Sequence, residues 1–116
     1  AETIKYVTNI FLASKVAFAN EMYQMCEALD IDYDKVIEYA RYDDRLGNTH
    51  WAVPGPDGDF GYGGHCFPKD IAALQYTMKM LNVDSTIIDS VIKKNELVRT
   101  DRDWERQVGR AVSKND

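Results

Sequence analysis

Asp59-Phe60-Gly61-Tyr62-Gly63-Gly64-His65-Cys66-Phe67-Pro68-Lys69-Asp70 divides this chain of 116 residues. Five of the seven glycines and all three prolines fall between Pro54 and Pro68, and the sequence on either side carries a helical pattern. The expected architecture is therefore all-α, with one glycine- and proline-rich loop. Clustered glycines permit positive φ and close approach of a ligand to the backbone. Pro68 suits the first position of a new helix, where a missing N–H costs nothing. That places Cys66 at the mouth of the helix, where unpaired N–H groups and the dipole favour a thiolate. His65 and Lys69 flank it, and Asp70, one turn on, can orient or deprotonate a water. The same residues also allow a plainer reading, with Cys66 a small hydrophobe beside a tight turn. Gly61-Tyr62-Gly63-Gly64 does not complete G-x-G-x-x-G and follows no strand, so no dinucleotide-binding fold is expected here.

Upstream, residues 2 to about 29 form one long helix. Ile4, Val7, Phe11, Ser14, Phe18, Met22, Met25 and Leu29 recur at threes and fours and define its apolar face. Tyr6, Ile10, Ala13 and Ala17 widen that face. A helix so broadly apolar is either a central core helix or one covered by a second subunit. Lys5 and Asn9 stand four residues apart on one face, a pair also common on plain solvated surfaces. Asp30-Ile31-Asp32 reads as a turn, with Asp32 capping a short helix through Val36, Ile37, Tyr39 and Ala40 that fades at Asp43-Asp44. From Arg45 to Pro68 runs an irregular segment holding Trp51, Phe60, Tyr62 and Phe67, too aromatic for simple disorder and better read as a binding loop.

Downstream, the spacing predicts a helix from Pro68 to about Leu81, with Ile71, Leu74, Met78 and Leu81 inward. Asn82-Val83-Asp84 breaks it. Asp84 or Ser85 caps a last helix with Ile87, Ile88, Val91, Ile92, Asn95 and Val98 on its apolar side. Beyond Thr100 the pattern turns charged, which reads as a solvated helical extension.

The length suits one domain, and the composition is ordinary for a soluble globular protein. A net charge of −5 without any basic run argues against nucleic acid as a partner, and no apolar run approaches a membrane span. Cys26 lies in an apolar helix face, so a bridge to Cys66 is not expected and a reducing, cytoplasmic setting is. Cys26, His50, His65 and Cys66 show no metal-ligand spacing, so no metal is expected. The chain opens without Met and directly into a helical pattern, as an excised domain would.

The run from Gly61 to Asp70 resembles the active-site signature of the UDP-glucose/GDP-mannose dehydrogenase family. Ala1-Glu2-Thr3-Ile4-Lys5-Tyr6-Val7-Thr8-Asn9 with Phe18-Ala19-Asn20-Glu21 resembles that family's central helix, and Asp44-Arg45-Leu46-Gly47-Asn48 resembles a third block. The three blocks occur in order over nearly the whole chain.

The resemblance implies that residues 1–116 are a central helical domain of the 6-phosphogluconate dehydrogenase C-terminal-like type. In that family it stands between an NAD-binding domain and a domain for the sugar nucleotide, both absent here, and forms much of a homodimer interface through the first helix. The implied activity oxidises a sugar C6 alcohol to the carboxylate in two hydride transfers to NAD, and the fragment alone would be inactive. The resemblance assigns Cys66 as the nucleophile that forms a thiohemiacetal and then a thioester. It assigns Lys5 to oxyanion stabilisation, and Asn9 and Asp70 to holding and activating water. Lys5 and Asn9 would also touch substrate, as would Gly63 and the Trp51 to Gly55 stretch. Arg45 would reach the partner subunit's substrate, and Lys69 would lie near the cofactor.

A loop salt bridge is the ordinary alternative for Arg45, and a core plug for Trp51. Phe67-Pro68-Lys69-Asp70 with Arg45-Leu46-Gly47-Asn48 favours the UDP-glucose branch. GDP-mannose and UDP-N-acetylhexosamine oxidation are the alternatives, the latter suggested by His65. Pro54-Gly55-Pro56-Asp57-Gly58 lengthens the loop relative to shorter relatives. A non-catalytic helical dimerisation module is the competing reading from a different class.

Overall fold

The computed structural model describes residues 2–102. Its helices are α1 (Glu2–Ala28), α2 (Tyr33–Ala40), α3 (Cys66–Met80) and α4 (Thr86–Val98), with a 3-10 turn at Asp44–Leu46. No strand occurs among the described residues, so the all-α expectation holds. The charged extension expected beyond Thr100 lies, from residue 103 on, outside the described residues.

Short-range chemistry sets the helix ends. Asp32 accepts a bond from the Asp34 amide at 3.0 Å and caps α2 as expected. α1 and α3 both stop in a left-handed residue, Asp30 (φ 57) and Asn82 (φ 59). Behind each, the next amide reaches back to close the turn: Ile31 N to Cys26 O at 2.8 Å, and Val83 N to Met78 O at 2.8 Å. Asp84, rather than Ser85, covers an orphan amide at the start of α4, accepting from Thr86 N at 2.9 Å. α3 begins two residues before Pro68. The proline still falls within the first turn, where no intrahelical partner awaits its nitrogen.

α1 is the spine, with α3 and α4 packed on it, α4 reaching Glu21 and Gln24 through Lys94, and α2 near its C-terminal end. One core cluster joins Ile10, Ala13 and Ala17 of α1 to Tyr62, Ile71, Ile88 and Val91. A second joins Ala19 and Cys26 to Tyr33, Ile37, Trp51 and Val53. Ala13 and Ala19, both at 0 % exposure, let the neighbouring backbone come close. Burying a side chain such as Ile71 stabilises by about 2 kcal/mol.

The face of α1 expected to lead the core does not. Ile4, Val7, Phe11, Phe18, Met25 and Leu29 are exposed, whereas Ile10, Ala13 and Ala17 of the set beside them are buried and Tyr6 is half-buried. Periodicity gives the angular spread of apolar residues, whereas the neighbours of α1 decide which part turns inward. Ile87 is likewise exposed rather than on the inner side of α4, as is Leu81 after α3.

Candidate functional site

Lys5 and Asn9 leave α1 one turn apart and meet Asp70 of α3, although 61 residues separate Asn9 from Asp70. Asn9 Nδ2 donates to Asp70 Oδ2 at 2.7 Å. Lys5 Nζ stands 4.0 Å from Asp70 Oδ1, a loose ion pair beyond hydrogen-bond range. Asp70 is only 2 % exposed, and a carboxylate so deep needs such partners to offset its lost hydration. The Lys5 ammonium is half exposed and so remains free to turn toward a bound molecule.

Cys66 is a free, exposed thiol at the first position of α3. Asp70 follows four residues later, hence on the same helix face one turn on. Lys69, exposed in the same first turn, adds a cation beside the thiol. Sequence reading grouped these residues, and the fold brings Lys5, Asn9 and Asp70 into contact. Chemically, the arrangement sets an exposed thiol on the same helix face as a carboxylate–carboxamide pair able to hold water.

The glycine loop reaches Cys66 over a fixed course. Asn95 of α4 accepts from the Tyr62 amide at 2.7 Å and donates to the Tyr62 carbonyl at 2.9 Å. Asn20 of α1 accepts from the Gly61 amide at 3.1 Å and donates back to Val16 O at 2.8 Å. Gly61 has φ +71, and a Cβ there would run into the Asn95 carboxamide. No other residue type fits that position without moving Asn95. Tyr62 is buried, and burial first, then the Glu96 charge, pushes its phenol well above the ordinary tyrosine range.

Farther out, Arg99 is buried and anchors the loop's outer limb. Its Nη2 donates to Asp57 Oδ2 at 2.6 Å, its Nη1 to Phe60 O at 3.3 Å, and its Nε stands 3.5 Å from Asp59 Oδ2. Asp59 in turn accepts from the Thr100 amide at 3.3 Å and the Asp101 amide at 2.8 Å. Burial pulls the Asp59 carboxyl up, but bonds from Thr100, Asp101 and Phe60 outweigh it and hold it at about 2.

The loop borders a half-open cleft of about 510 Å³ whose wall includes His50, Gly55, Asp57, Tyr62, Gly63 and Phe67. Gly63 is thus on a concave surface that also includes Phe67, the chain neighbour of Cys66. His50 takes φ +69, its ring lies 5.9 Å from that of Phe67, and its buried Nδ1 has no hydrogen-bond partner.

Arg45 and Trp51 sit apart from this cluster. Arg45 is exposed, and its guanidinium grips Asp43 through two bonds of 2.9 and 2.6 Å. Trp51 is 7 % exposed, within the second core cluster. Its Nε1 donates to Gly47 O at 3.0 Å, Phe18 meets it edge-on at 6.3 Å, and Lys15 Nζ lies 4.9 Å over its ring. The indole therefore plugs the start of the loop into α1, and any contact with a ligand in this region falls to the backbone around it.

Sequence reading did not single out Asn20, Asn95, Asp57, Asp59 or Arg99 as loop anchors. The available signal was a carboxamide inside an otherwise apolar stripe, Asn95 between Val91 and Val98. Such a residue has to be hydrogen-bonded to something distant. No group of three or more candidate metal ligands occurs among the described residues, and no described helix is long and apolar enough to cross a membrane.

Residues 1–97 match the model of the UDP-glucose/GDP-mannose dehydrogenase family, central domain. The chain is 44% identical over 96 residues to the UDP-glucose 6-dehydrogenase of Rickettsia bellii, covering 83% of this chain and 21% of that protein. It is 42% identical over 97 residues to the Rickettsia prowazekii protein of the same name, covering 84% and 21%. It is 37% identical over 97 residues to the GDP-mannose 6-dehydrogenase of Pseudomonas putida, covering 83% and 21%. The chain thus spans about a fifth of the length of these relatives. No solved structure matches it.

Proposed function

This chain belongs to the UDP-glucose/GDP-mannose dehydrogenase family as a central domain, and we propose that it works within an NAD-dependent UDP-glucose 6-dehydrogenase. The observation that carries this reading is the junction of Asn9 and Lys5 with buried Asp70, one turn from exposed Cys66. The reaction is oxidation of the sugar C6 alcohol to the carboxylate, and the chain alone, without nucleotide-binding domains, is inactive. Relatives named UDP-glucose 6-dehydrogenase support UDP-glucose as the sugar nucleotide. GDP-mannose is the alternative suggested by the Pseudomonas putida relative.

The exposed first turn of α3, with cationic Lys69 beside Cys66, fits the approach of an anionic dinucleotide held elsewhere. When bound, NAD supplies the hydride acceptor, one molecule for each of the two hydrides lost from C6. This chain's residues do the rest. The Cys66 sulfur adds to the C6 aldehyde carbon, and charge moves onto the carbonyl oxygen, where Lys5 donates. Once C6 is at the thioester level, Asp70, oriented by Asn9, takes a proton from the attacking water. The C–S bond then breaks, leaving the carboxylate product and the thiolate.

The exposed α1 stripe is read as a homodimer interface. Ile4, Phe11, Phe18 and Met25 recur every seven residues, the period by which two helices keep one seam in contact. Arg45, an exposed side chain paired with Asp43, would then face the partner's substrate. Two free thiols suit a reducing, cytoplasmic compartment.

The test is uronate production by the full-length protein and its Cys66→Ser variant, with UDP-glucose, GDP-mannose and UDP-N-acetylhexosamine compared. Loss of product with Cys66→Ser is expected, and undiminished product would sink the mechanism. The best sugar is whichever gives the highest kcat/KM. A dimeric full-length protein that oxidises none of the three, with an unreactive Cys66, would favour the non-catalytic module.

A further inference from the structure

The family match ends at residue 97, and two residues later the chain turns back onto the loop. Arg99 is 7 % exposed at the exit of α4, yet its guanidinium is spread over Asp57, Phe60 and the Asp101 carbonyl, which it meets at 2.6 Å. Asp59 closes the same knot from the other side by accepting the Thr100 and Asp101 amides. Two carboxylates of one short loop thus converge on one strand of chain leaving one helix.

The placement of Asp57 gives this knot a consequence for binding. Asp57 lies in the wall of the 510 Å³ cleft, and its side chain is 48% exposed. The inner limb of the loop, Gly61 and Tyr62, is held independently by Asn20 and Asn95. The outer limb, residues 55 to 60, has the Gly55–Asp59 and Gly58–Gly55 bonds of its own turn, at 2.9 Å each. A self-contained turn of this kind keeps its own shape, and its direction is set by contacts outside itself. Those include Arg99, the Asp59 bonds to residues 100 and 101, and Phe60, whose ring lies 5.7 Å from that of Tyr23 on α1.

We propose that Arg99, through Asp57, is a positioning residue that sets the outer wall of the sugar-nucleotide cleft. A charge-assisted bond at 2.6 Å from a buried guanidinium fixes direction as well as distance, which a Lys in the same place would not reproduce. The rest of the guanidinium meets the Phe60 and Asp101 carbonyls and lies 3.5 Å from Asp59, so loss of Asp57 removes its shortest charged partner and leaves the weaker Asp59 pair. The inference rests on the proposed function only for the identity of the ligand. The wall itself is read from the Arg99–Asp57–Asp59 geometry.

The experiment uses the full-length protein with Arg99→Met, Arg99→Lys, Asp57→Ala and the Arg99→Met/Asp57→Ala double variant. Hydrogen exchange of the 55–60 and 61–64 amides is measured first, without substrate. Faster exchange confined to 55–60 is expected in Arg99→Met and Asp57→Ala, with no further increase in the double variant. Steady-state rates with UDP-glucose and NAD then should show KM raised roughly five- to tenfold with kcat nearly unchanged, and Arg99→Lys intermediate. Asp57→Ala carries the test if Arg99→Met does not fold, since Asp57 is half exposed. Wild-type exchange at 55–60 and wild-type KM in Asp57→Ala overturn the proposal, as do additive effects in the double variant. If the wild-type protein oxidises no nucleotide sugar, the proposed function fails, and the exchange data alone uphold or overturn the wall.

Discussion

Asn95 holds Tyr62 from both ends of its peptide groups, accepting from its amide at 2.7 Å and donating to its carbonyl at 2.9 Å. One buried carboxamide thereby does for the glycine loop what a strand partner does in a sheet. It satisfies both backbone groups and fixes their direction. Tyr62 also belongs to the first core cluster and touches Phe67 edge-on at 5.9 Å, so the clamp extends to the residue beside Cys66.

Asn95→Ala should therefore destabilise by about 2 to 4 kcal/mol, because it strands a buried N–H and a buried C=O together. Urea titration of the full-length protein, followed by a probe local to this domain, measures it. A loss below the level of a surface substitution would mean that water replaces the carboxamide at no cost.

Gly61→Ala tests the same clamp from the other side. Its φ of +71 and the collision of a Cβ with Asn95 both count against any side chain. The cost should be about 2 kcal/mol or more, and it should be less than additive with Asn95→Ala, which removes the colliding group. Full additivity would show that backbone strain alone accounts for the loss.

Asp70→Asn should keep the bond to Asn9 but remove the proton acceptor. In the full-length protein, kcat is expected to fall about 10²- to 10⁴-fold, with Cys66 still alkylated as in wild type. Intact-mass measurement after a single turnover should find the sugar acid attached to Cys66, because water attack is the step most affected. An unchanged kcat would remove Asp70 from the chemistry.

Phe11→Glu and Met25→Glu place charges on the exposed seven-residue seam of α1 while leaving the core untouched. Sedimentation of the full-length protein should show the wild-type mass halved by the double substitution. Helix content by circular dichroism should stay the same. An unaltered mass would assign the stripe to some other contact.

Acid stability should depend on Asp59. Its folded carboxyl is held at about 2, below the roughly 3.9 of an unfolded aspartate, so its contribution is present above that unfolded value. As pH falls from about 4 toward the folded value, the advantage of wild type over Asp59→Asn should shrink and then vanish. Thermal melts of both proteins between pH 6 and about 2 check this. A pH-independent difference would mean that the carboxylate charge plays no part in the knot.

How much was legible beforehand divides by range. The helices, the Asp32 cap, the limits of the loop and the placing of Cys66 at a helix start all depend on residues within about a turn of each other. Their chemistry is local, and the sequence alone determined them. So too for Lys5 and Asn9, which any α-helix puts on one face.

Tertiary structure alone decided which stripe of α1 is buried, that Asp70 meets Asn9 across 61 residues, and that Trp51 plugs the loop. It alone also decided that Asn20, Asn95 and Arg99 hold that loop. Each of these is a choice among equivalent local options: two apolar stripes, several polar residues without a near partner, one buried guanidinium among the exposed ones of the described residues. Local propensity is the same for every option, and only the packing of α3 and α4 against α1 separates them.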